Sequence, residues 1–351
     1  MILTQNNRVI IAMSGGIDSS VAAYLIKKQG YDCAGITMEL SGCSSIIDIE
    51  DAKKIAEFLD MPYYVFDYKD KFEEEVIGRF VNAYIDGATP NPCIDCNRFI
   101  KFRKLIKHAE ELNYDYIATG HYARIDEANG RYLLKKAADE KKDQSYVLYS
   151  LIQARLKHIK FPLGSLTKPE VREIAEEHGF INAQKKESQD ICFVPKNQTG
   201  DYADFIEKYT GKTFPGGDFV DLNGNILGRH NGIIRYTIGQ RRGLGLALKE
   251  PMYVCGKSIE KNTVILCRDE ELYSKELIAR DINLIPFDSI NNKTKIKAKV
   301  RYNQPEQPAT VEQTGIDELR VEFENPQRAI TKGQAVVLYD GDVVVGGGTI
   351  I

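Results

Sequence analysis

Nowhere in the 351 residues is there a run of about eighteen apolar side chains, so the sequence predicts no membrane-spanning helix and no membrane partner. The opening stretch MILTQNNRVIIAMSGG lacks the basic region, apolar segment and small-residue cleavage site of an export signal, which makes the cytoplasm the expected location. The cysteines do not suit a secreted disulfide framework. They number seven, and they are scattered at Cys33, Cys43, Cys93, Cys96, Cys192, Cys255 and Cys267. Any disulfide is therefore expected to be catalytic. A formal charge of −3 gives no global pull toward nucleic acid and leaves that role to local basic patches. There is no internal repeat and no low-complexity tail, and 43% hydrophobic with 28% charged residues describes a globular chain.

What is present divides by texture. The first half alternates short apolar runs with amphipathic stretches: RVIIAM, SSVAAYLIKKQG, DCAGITM, IEDAKKIAEFLD, YYVFDY and YDYIATG. This is the βαβα pattern of a parallel sheet with helices on both faces. Val21, Ala22, Leu25 and Ile26 share one face of the first helix, and Gly30 stands where a C-terminal cap belongs. A later helix, KPEVREIAEEHG, starts near Pro169 and stops at Gly179. Beyond about residue 200, β-branched and aromatic segments punctuated by Asn-Gly and Gly-Gly turns predict two small β domains. The expected fold class is α/β: a parallel-sheet domain over 1–200, a central β-rich domain over 201–275 and a barrel-like domain over 276–351.

The strand RVIIAM runs into Ser14-Gly15-Gly16-Ile17-Asp18-Ser19-Ser20 and then a helix, the geometry in which backbone N–H groups cradle phosphate. No Gly-Lys-Ser/Thr ending follows, so the lysine of a Walker A loop is missing. Gly256-Lys257-Ser258 offers that ending elsewhere, but Pro251 occupies the earlier glycine position. A capped strand-to-helix turn would use similar residues, but the whole hexapeptide after an N-terminal strand is more specific. It resembles the PP-loop of the N-type ATP pyrophosphatases, which transfer AMP from ATP to a carbonyl or amide oxygen. That resemblance implies ATP and Mg²⁺ as cofactors, with Asp18 a candidate Mg²⁺ ligand.

Two stretches carry candidate nucleophiles: TPNPCIDCNRFIKF, with Cys96 directly before an expected helix, and ESQDICFV, with Cys192. A helix N-terminus favours the thiolate, which makes Cys96 the better attacking group. At this point the chain resembles the MnmA-type tRNA-specific 2-thiouridylases. The resemblance rests on AMSGGIDSS, GITM, TPNPCIDCNRFIKF, ATGHYAR, KDQSYVLY, FPLGSLTKPEVREIA, SQDICF, GRHNGIIRYTIGQRRGLG, RYNQ and GQAVVLYDGDVVVGGG, which span nearly the whole length. It implies an enzyme that adenylates the C2 oxygen of a wobble uridine in tRNA and replaces that oxygen with sulfur. Cys192 would carry sulfur as a persulfide and Cys96 would attack it, leaving a Cys96–Cys192 disulfide. The ATP pocket would be formed by Ala12, Met13, Ser14, Gly15, Gly16, Ile17, Asp18, Ser19, Met38 and Gly120.

One position departs from the family pattern. Asn91-Pro92-Cys93 stands where many members have Asn-Pro-Asp, so three thiols are available, a count that also suits a [4Fe–4S] cluster held by Cys93, Cys96 and Cys192. Persulfide and cluster remain alternatives at this stage. Zinc is disfavoured, because no second CxxC or finger-spaced histidine pair is present. The other four cysteines are expected to be ordinary buried or semi-buried residues.

The row Lys293, Lys295, Lys297, Lys299, Arg301 lies on one side of an expected strand, opposite Ile296, Ala298 and Val300. An edge strand guarded by lysines would look the same; beside the resemblance, the row reads as a phosphate-contact face with Tyr302 available for stacking. The resemblance further implies that Asn91, Pro92 and Cys93 meet the target base, and that His121, Lys142, Asp143, Gln144, Arg301, Tyr302 and Gln334 contact tRNA. Arg241 and Arg242 could hold phosphate or cap a β turn. The implied partners are tRNAs of the Lys, Glu and Gln type and a sulfur-donor protein such as a cysteine desulfurase or relay. Another PP-loop synthetase and a binding module without catalysis are the competing readings.

Overall fold

The computed structural model describes residues 7–42, 45–185, 191–194 and 202–351. Cys43 lies outside the described residues, as do residues 186–190 just ahead of Cys192. Four strands come first: β1 (Arg8–Ala12), β2 (Asp32–Glu39), β3 (Tyr63–Asp67) and β4 (Tyr116–Thr119). A hairpin of β5 (Arg124–Ala128) and β6 (Arg131–Lys135) follows, then the short β7 (Ile159–Lys160). Strands β1 to β4 and β7 form a parallel sheet in the order β3-β2-β1-β4-β7. Val9, Ile10 and Ile11 of β1 are completely buried because helices cover both sheet faces. Helix α1 (Ile17–Lys28) buries Val21, Ala22 and Ile26, and Gly30 follows it at φ +88°, as a C-terminal cap requires. Helix α2 (Ile46–Phe58) is capped by Ser45 and Asp48. The helix Lys168–Glu177 has Thr167 and Glu170 as a capping box and ends before Gly179 at φ +66°.

The central domain is a four-stranded sheet of β8 (Gly217–Val220), β9 (Ile226–His230), β10 (Tyr253–Ser258) and β11 (Thr263–Cys267), in the order β10-β11-β8-β9. The last domain is a closed barrel. Its strands β12 (Tyr273–Leu284), β13 (Thr294–Lys299), β14 (Gln307–Gly315), β15 (Glu318–Arg328), β16 (Ala335–Asp340) and β17 (Val343–Ile350) run in the order β12-β15-β14-β13-β16-β17 and close by pairing of β12 with β17. The β5–β6 hairpin, carried on the first domain, extends this sheet through Lys135 opposite Val343.

Polar bonds tie the barrel to the first domain. Asn283 Nδ2 donates to the Tyr149 carbonyl at 2.7 Å, Tyr146 Oη donates to the Ala335 carbonyl at 2.8 Å, and Arg98 Nη2 meets Asp281 Oδ1 at 2.9 Å. The neighbours of β1 are β2 on one side and β4 on the other, so the sheet changes direction at the C-terminal ends of β1 and β4. Ligands bind at such switch points in open parallel sheets.

Candidate functional site

The phosphate loop is built by backbone constraints. The Met13 amide donates to the Ile36 carbonyl at 2.8 Å, and its carbonyl accepts from Thr37 Oγ1 at 2.7 Å, which fixes the exit of β1. Gly15 has φ +69°, and a Cβ there would stand 2.2 Å from the Asp48 carbonyl oxygen, so only glycine fits. Ser19 and Ser20 both donate to the Gly16 carbonyl, at 3.0 and 3.1 Å. Gly16 caps α1 without any side-chain bond to the first-turn amides. Those amides and the helix dipole are thus arranged to receive an anion. Ala12 and Met13 form the entry to this loop, and Ile17 anchors the first turn in the core. Gly120, at the end of β4, packs so closely that a Cβ would lie 2.8 Å from the Asp18 carbonyl carbon and the Ser19 nitrogen.

The structure supplies a lysine that the loop motif lacks. Lys168, only 6% exposed, reaches Asp18 Oδ1 at 2.7 Å, and the Tyr122 hydroxyl donates to the same oxygen at 2.8 Å. Behind the loop, Asn182 Nδ2 bonds the Gly15 carbonyl at 3.1 Å and Ser20 Oγ at 2.9 Å, while Lys185 spans the Gly15 carbonyl, Asp48 and Asp51 at 3.2, 2.8 and 2.7 Å. None of these residues was marked by the sequence. Lys168 sits in a segment that reads as an ordinary helix start, and no local spacing connects it to a loop 150 residues earlier.

Asn91 starts the thiol helix by accepting from the Cys93 amide at 3.1 Å, with Pro92 in its first turn. The helix runs as α from Pro92 to Asp95 and as π from Cys96 to Lys101. Cys96 therefore lies one turn inside the helix, not directly before it. The expected lowering of its pKa is corrected accordingly. Burial, at 8% exposure, pushes the Cys96 thiol up to about 12, and Cys192, Cys93 and Asp95 add to the rise while Lys101 opposes it. Cys93 is open to solvent yet deep enough among its neighbours that desolvation raises its pKa as well; Lys101 again opposes the shift, and Cys192 adds to it. Cys192 is exposed and within electrostatic reach of both other thiols. Beside it, Phe193 packs in one core with Cys96 and Leu40, with Met38 against the same cluster. The sequence-predicted thiols and the end of β2 thus come together.

The cluster alternative finds no matching geometry. Among the described residues no three His, Cys, Asp or Glu side chains converge to metal-binding separation.

The remaining candidates have diverse surroundings. His121 is 9% exposed between Phe102 and Phe161, bonds Thr119 Oγ1 through Nδ1 at 2.7 Å, and is held neutral by burial, which takes its pKa well below 6.5. Asp143 accepts from the Ala137 and Ser145 amides and from Ser145 Oγ, and Gln144 Oε1 accepts from the Tyr122 amide at 2.9 Å, so both shape the loop that places Tyr122 on Asp18. Lys142 is half-buried on the same loop.

The basic row is shorter than expected. Lys293, Lys295 and Lys297 are exposed, but the Lys299 ammonium lies over the Tyr302 and Tyr146 rings at 5.6 and 5.8 Å. Arg301 Nη2 bonds the Ile238 and Ala329 carbonyls and Thr331 Oγ1 at 3.2, 3.0 and 2.7 Å, joining the central domain to the barrel. Strand β13 is bonded on both sides, to β14 and β16, so it is not an edge strand. Arg241 and Arg242 are exposed on a turn, where Gln240 Nε2 donates to the Arg242 carbonyl.

A cavity of about 390 Å³ opens where all three domains meet, lined by Thr89, Thr237, Arg301, Tyr302, Thr331 and Gln334 among others. Gln334 Nε2 donates to the Thr89 carbonyl at 2.6 Å. Thr89 Oγ1 and Arg301 Nε are buried without a hydrogen-bond partner, so two polar atoms of the lining are unsatisfied. The cavity adjoins the thiols: Tyr302 is raised in pKa by burial first, then by Asp143 and by Cys93.

Comparison with known proteins agrees with this architecture. Residues 7–196 match the tRNA methyl transferase HUP domain, 203–268 the tRNA methyl transferase PRC-barrel domain, and 274–350 the aminomethyltransferase beta-barrel domain. Loop, sheet and appended β domains thus define a PP-loop, ATP-utilising class of tRNA-modifying proteins. Within it, the chain is 49% identical over 357 residues to the tRNA-specific 2-thiouridylase MnmA of Clostridioides difficile strain 630, covering 98% of both chains. It is 50% identical over 356 residues to MnmA of Halothermothrix orenii, covering 98% of this chain and 99% of that one. The chain belongs to the family of tRNA-specific 2-thiouridylases. Among solved structures, a 4-thiouridine synthetase–RNA complex with bound ATP is 24% identical at a TM-score of 0.41, covering 58% of this chain and 50% of that one, too loose a superposition to carry site residues across.

Proposed function

We propose that this chain is an ATP-dependent tRNA 2-thiouridylase that acts in the cytoplasm on the wobble uridine of Lys, Glu and Gln type tRNAs. What supports the reading is a phosphate-cradling loop at the end of β1 together with three thiols within electrostatic reach of one another, Cys96 sharing a core with Met38 and Leu40 near the end of the neighbouring β2. ATP lies with its phosphates on the amides of Ser14 to Ser19, flanked by Met38 and Gly120. Mg²⁺, when bound, neutralises phosphate charge, and Asp18 is the carboxylate placed to hold it, with Lys168 as a second cation. The uridine enters through the cavity beside Thr89 and Tyr302 and reaches Asn91 to Cys93. Its C2 oxygen attacks the α-phosphate, pyrophosphate departs, and the oxygen becomes part of an AMP leaving group.

A donor such as a cysteine desulfurase or relay protein loads Cys192 as a persulfide. Cys96 thiolate attacks the Cys192 sulfur, forming the Cys96–Cys192 disulfide and releasing the outer sulfur as hydrosulfide. Hydrosulfide displaces AMP from C2 to give 2-thiouridine, and a cellular dithiol reduces the disulfide. The test combines ATP, Mg²⁺, a Lys-type tRNA transcript and a persulfide donor. Cys96→Ala and Cys192→Ala should still release pyrophosphate but form no 2-thiouridine. Wild-type thiolation by either variant refutes the mechanism, and absence of thiolation by the wild type refutes the function.

A further inference from the structure

A buried thiol with its pKa pushed to about 12 is a poor nucleophile at neutral pH, so the site needs something that favours negative sulfur. The π segment provides a source. In an α-helix, residue i+5 points about 140° away from residue i, but the wider π turn reduces that angle to roughly 50°. The Cys96–Lys101 segment has this form, and the Phe102 amide closes onto the Asn97 carbonyl at 3.0 Å. Lys101 is thereby returned to the face of the helix that carries Cys96.

On this helix Arg98 is paired with Asp281, and Arg79 beside it with Asp95, whereas Lys101 is in no ion pair among the described residues. Around Cys96 the charged and titratable groups are Lys101, Cys192, Cys93 and Asp95, and of these only Lys101 is positive. Its charge is also felt by Cys93 and by His121, the residue following Gly120 on the phosphate loop's far wall.

We propose that Lys101 is the positioning cation of the sulfur-transfer step: the π turn aims its ammonium at the Cys96 sulfur, where it stabilises the thiolate that attacks and the hydrosulfide that leaves. This rests on the proposed sulfur transfer. Such preorganised charge, aimed where charge develops, acts strongly because the thiol is shielded from water. π turns of this kind are frequent at functional sites.

The test uses Lys101→Met and Lys101→Arg. In the thiolation assay Lys101→Met should lower kcat by about 100-fold, with little change in the KM for tRNA and with pyrophosphate release retained, and Lys101→Arg should recover most of the loss. A second readout needs neither ATP nor tRNA. In a Cys93→Ser background, iodoacetamide labelling of the Cys96 peptide at pH 7.5, followed by mass spectrometry, should be about tenfold slower with Met at 101 and close to the parent rate with Arg. If the wild type thiolates tRNA and Lys101→Met does so at the same rate, or labelling is unchanged, this inference fails while the function stands. If the wild type labels as expected but never thiolates, the function fails and the role of Lys101 in charging Cys96 survives.

Discussion

Lys257 on β10 carries a measurable energetic signature. Its Nζ is fully buried with no hydrogen-bond partner, and its stem packs against Gly87 of the first domain. Burial lowers the amine from 10.5 to about 8. At about 1.4 kcal/mol for each tenfold change in proton affinity, forcing a proton onto this amine in the folded state costs about 3 kcal/mol. The sign follows from linkage: the unfolded chain binds the proton more tightly, so folded stability rises with pH. The penalty is complete below about pH 8 and fades as pH climbs toward 10.5. Lys257→Met keeps the apolar stem and removes the amine. In urea denaturation the variant should be more stable than the parent by up to about 3 kcal/mol at pH 7, and that advantage should shrink steadily between pH 8 and 10.5. A variant less stable at pH 7, or a difference that does not vary with pH, would refute the assignment of an unpaired buried amine.

Two more perturbations probe the joints of the site. Gly120→Ala places a methyl 2.8 Å from the Asp18 and Ser19 backbone, displacing the first turn of α1; ATP-dependent pyrophosphate release should fall about 100-fold with folding retained, and normal release would contradict the packing. Arg301→Met leaves the Ile238 and Ala329 carbonyls without their guanidinium donor. It should lower stability by about 1–3 kcal/mol and speed limited proteolysis between the central domain and the barrel, and unchanged proteolysis would show that the clamp is dispensable.

Sequence periodicity reported most of the first domain because its constraints are local. A β1 whose three central residues are completely buried, a glycine at 15 held at positive φ, and a helix closed by Gly30 each leave a signature within a few residues. The same holds for Asn91-Pro92 as a helix start. What could not be read depends on distant partners. Lys168 and Tyr122 converge on Asp18 from 150 and 104 residues away, and Arg301 meets carbonyls in two domains. The π turn at Cys96 also escaped, since nothing in CNRFIK distinguishes it from an α-helix, and the burial that raises the Cys96 pKa comes from packing that the local sequence does not show. The lysine row alternated as expected, but alternation does not reveal that the tyrosine rings and the Arg301 clamp take its last two members.

The hairpin that the first domain lends to the barrel sheet makes the two bodies interdependent. A truncation placed at the end of the central domain would strip β6 of its neighbour β17 and leave Tyr149, Tyr146 and Arg98 without their partners Asn283, Ala335 and Asp281 at once. The C-terminal barrel is thus not a detachable accessory. Removing it would take away Arg301, Tyr302, Thr331 and Gln334, most of the lining of the cavity where the domains meet, and transplanting it to another chain would leave Val343 without its partner Lys135.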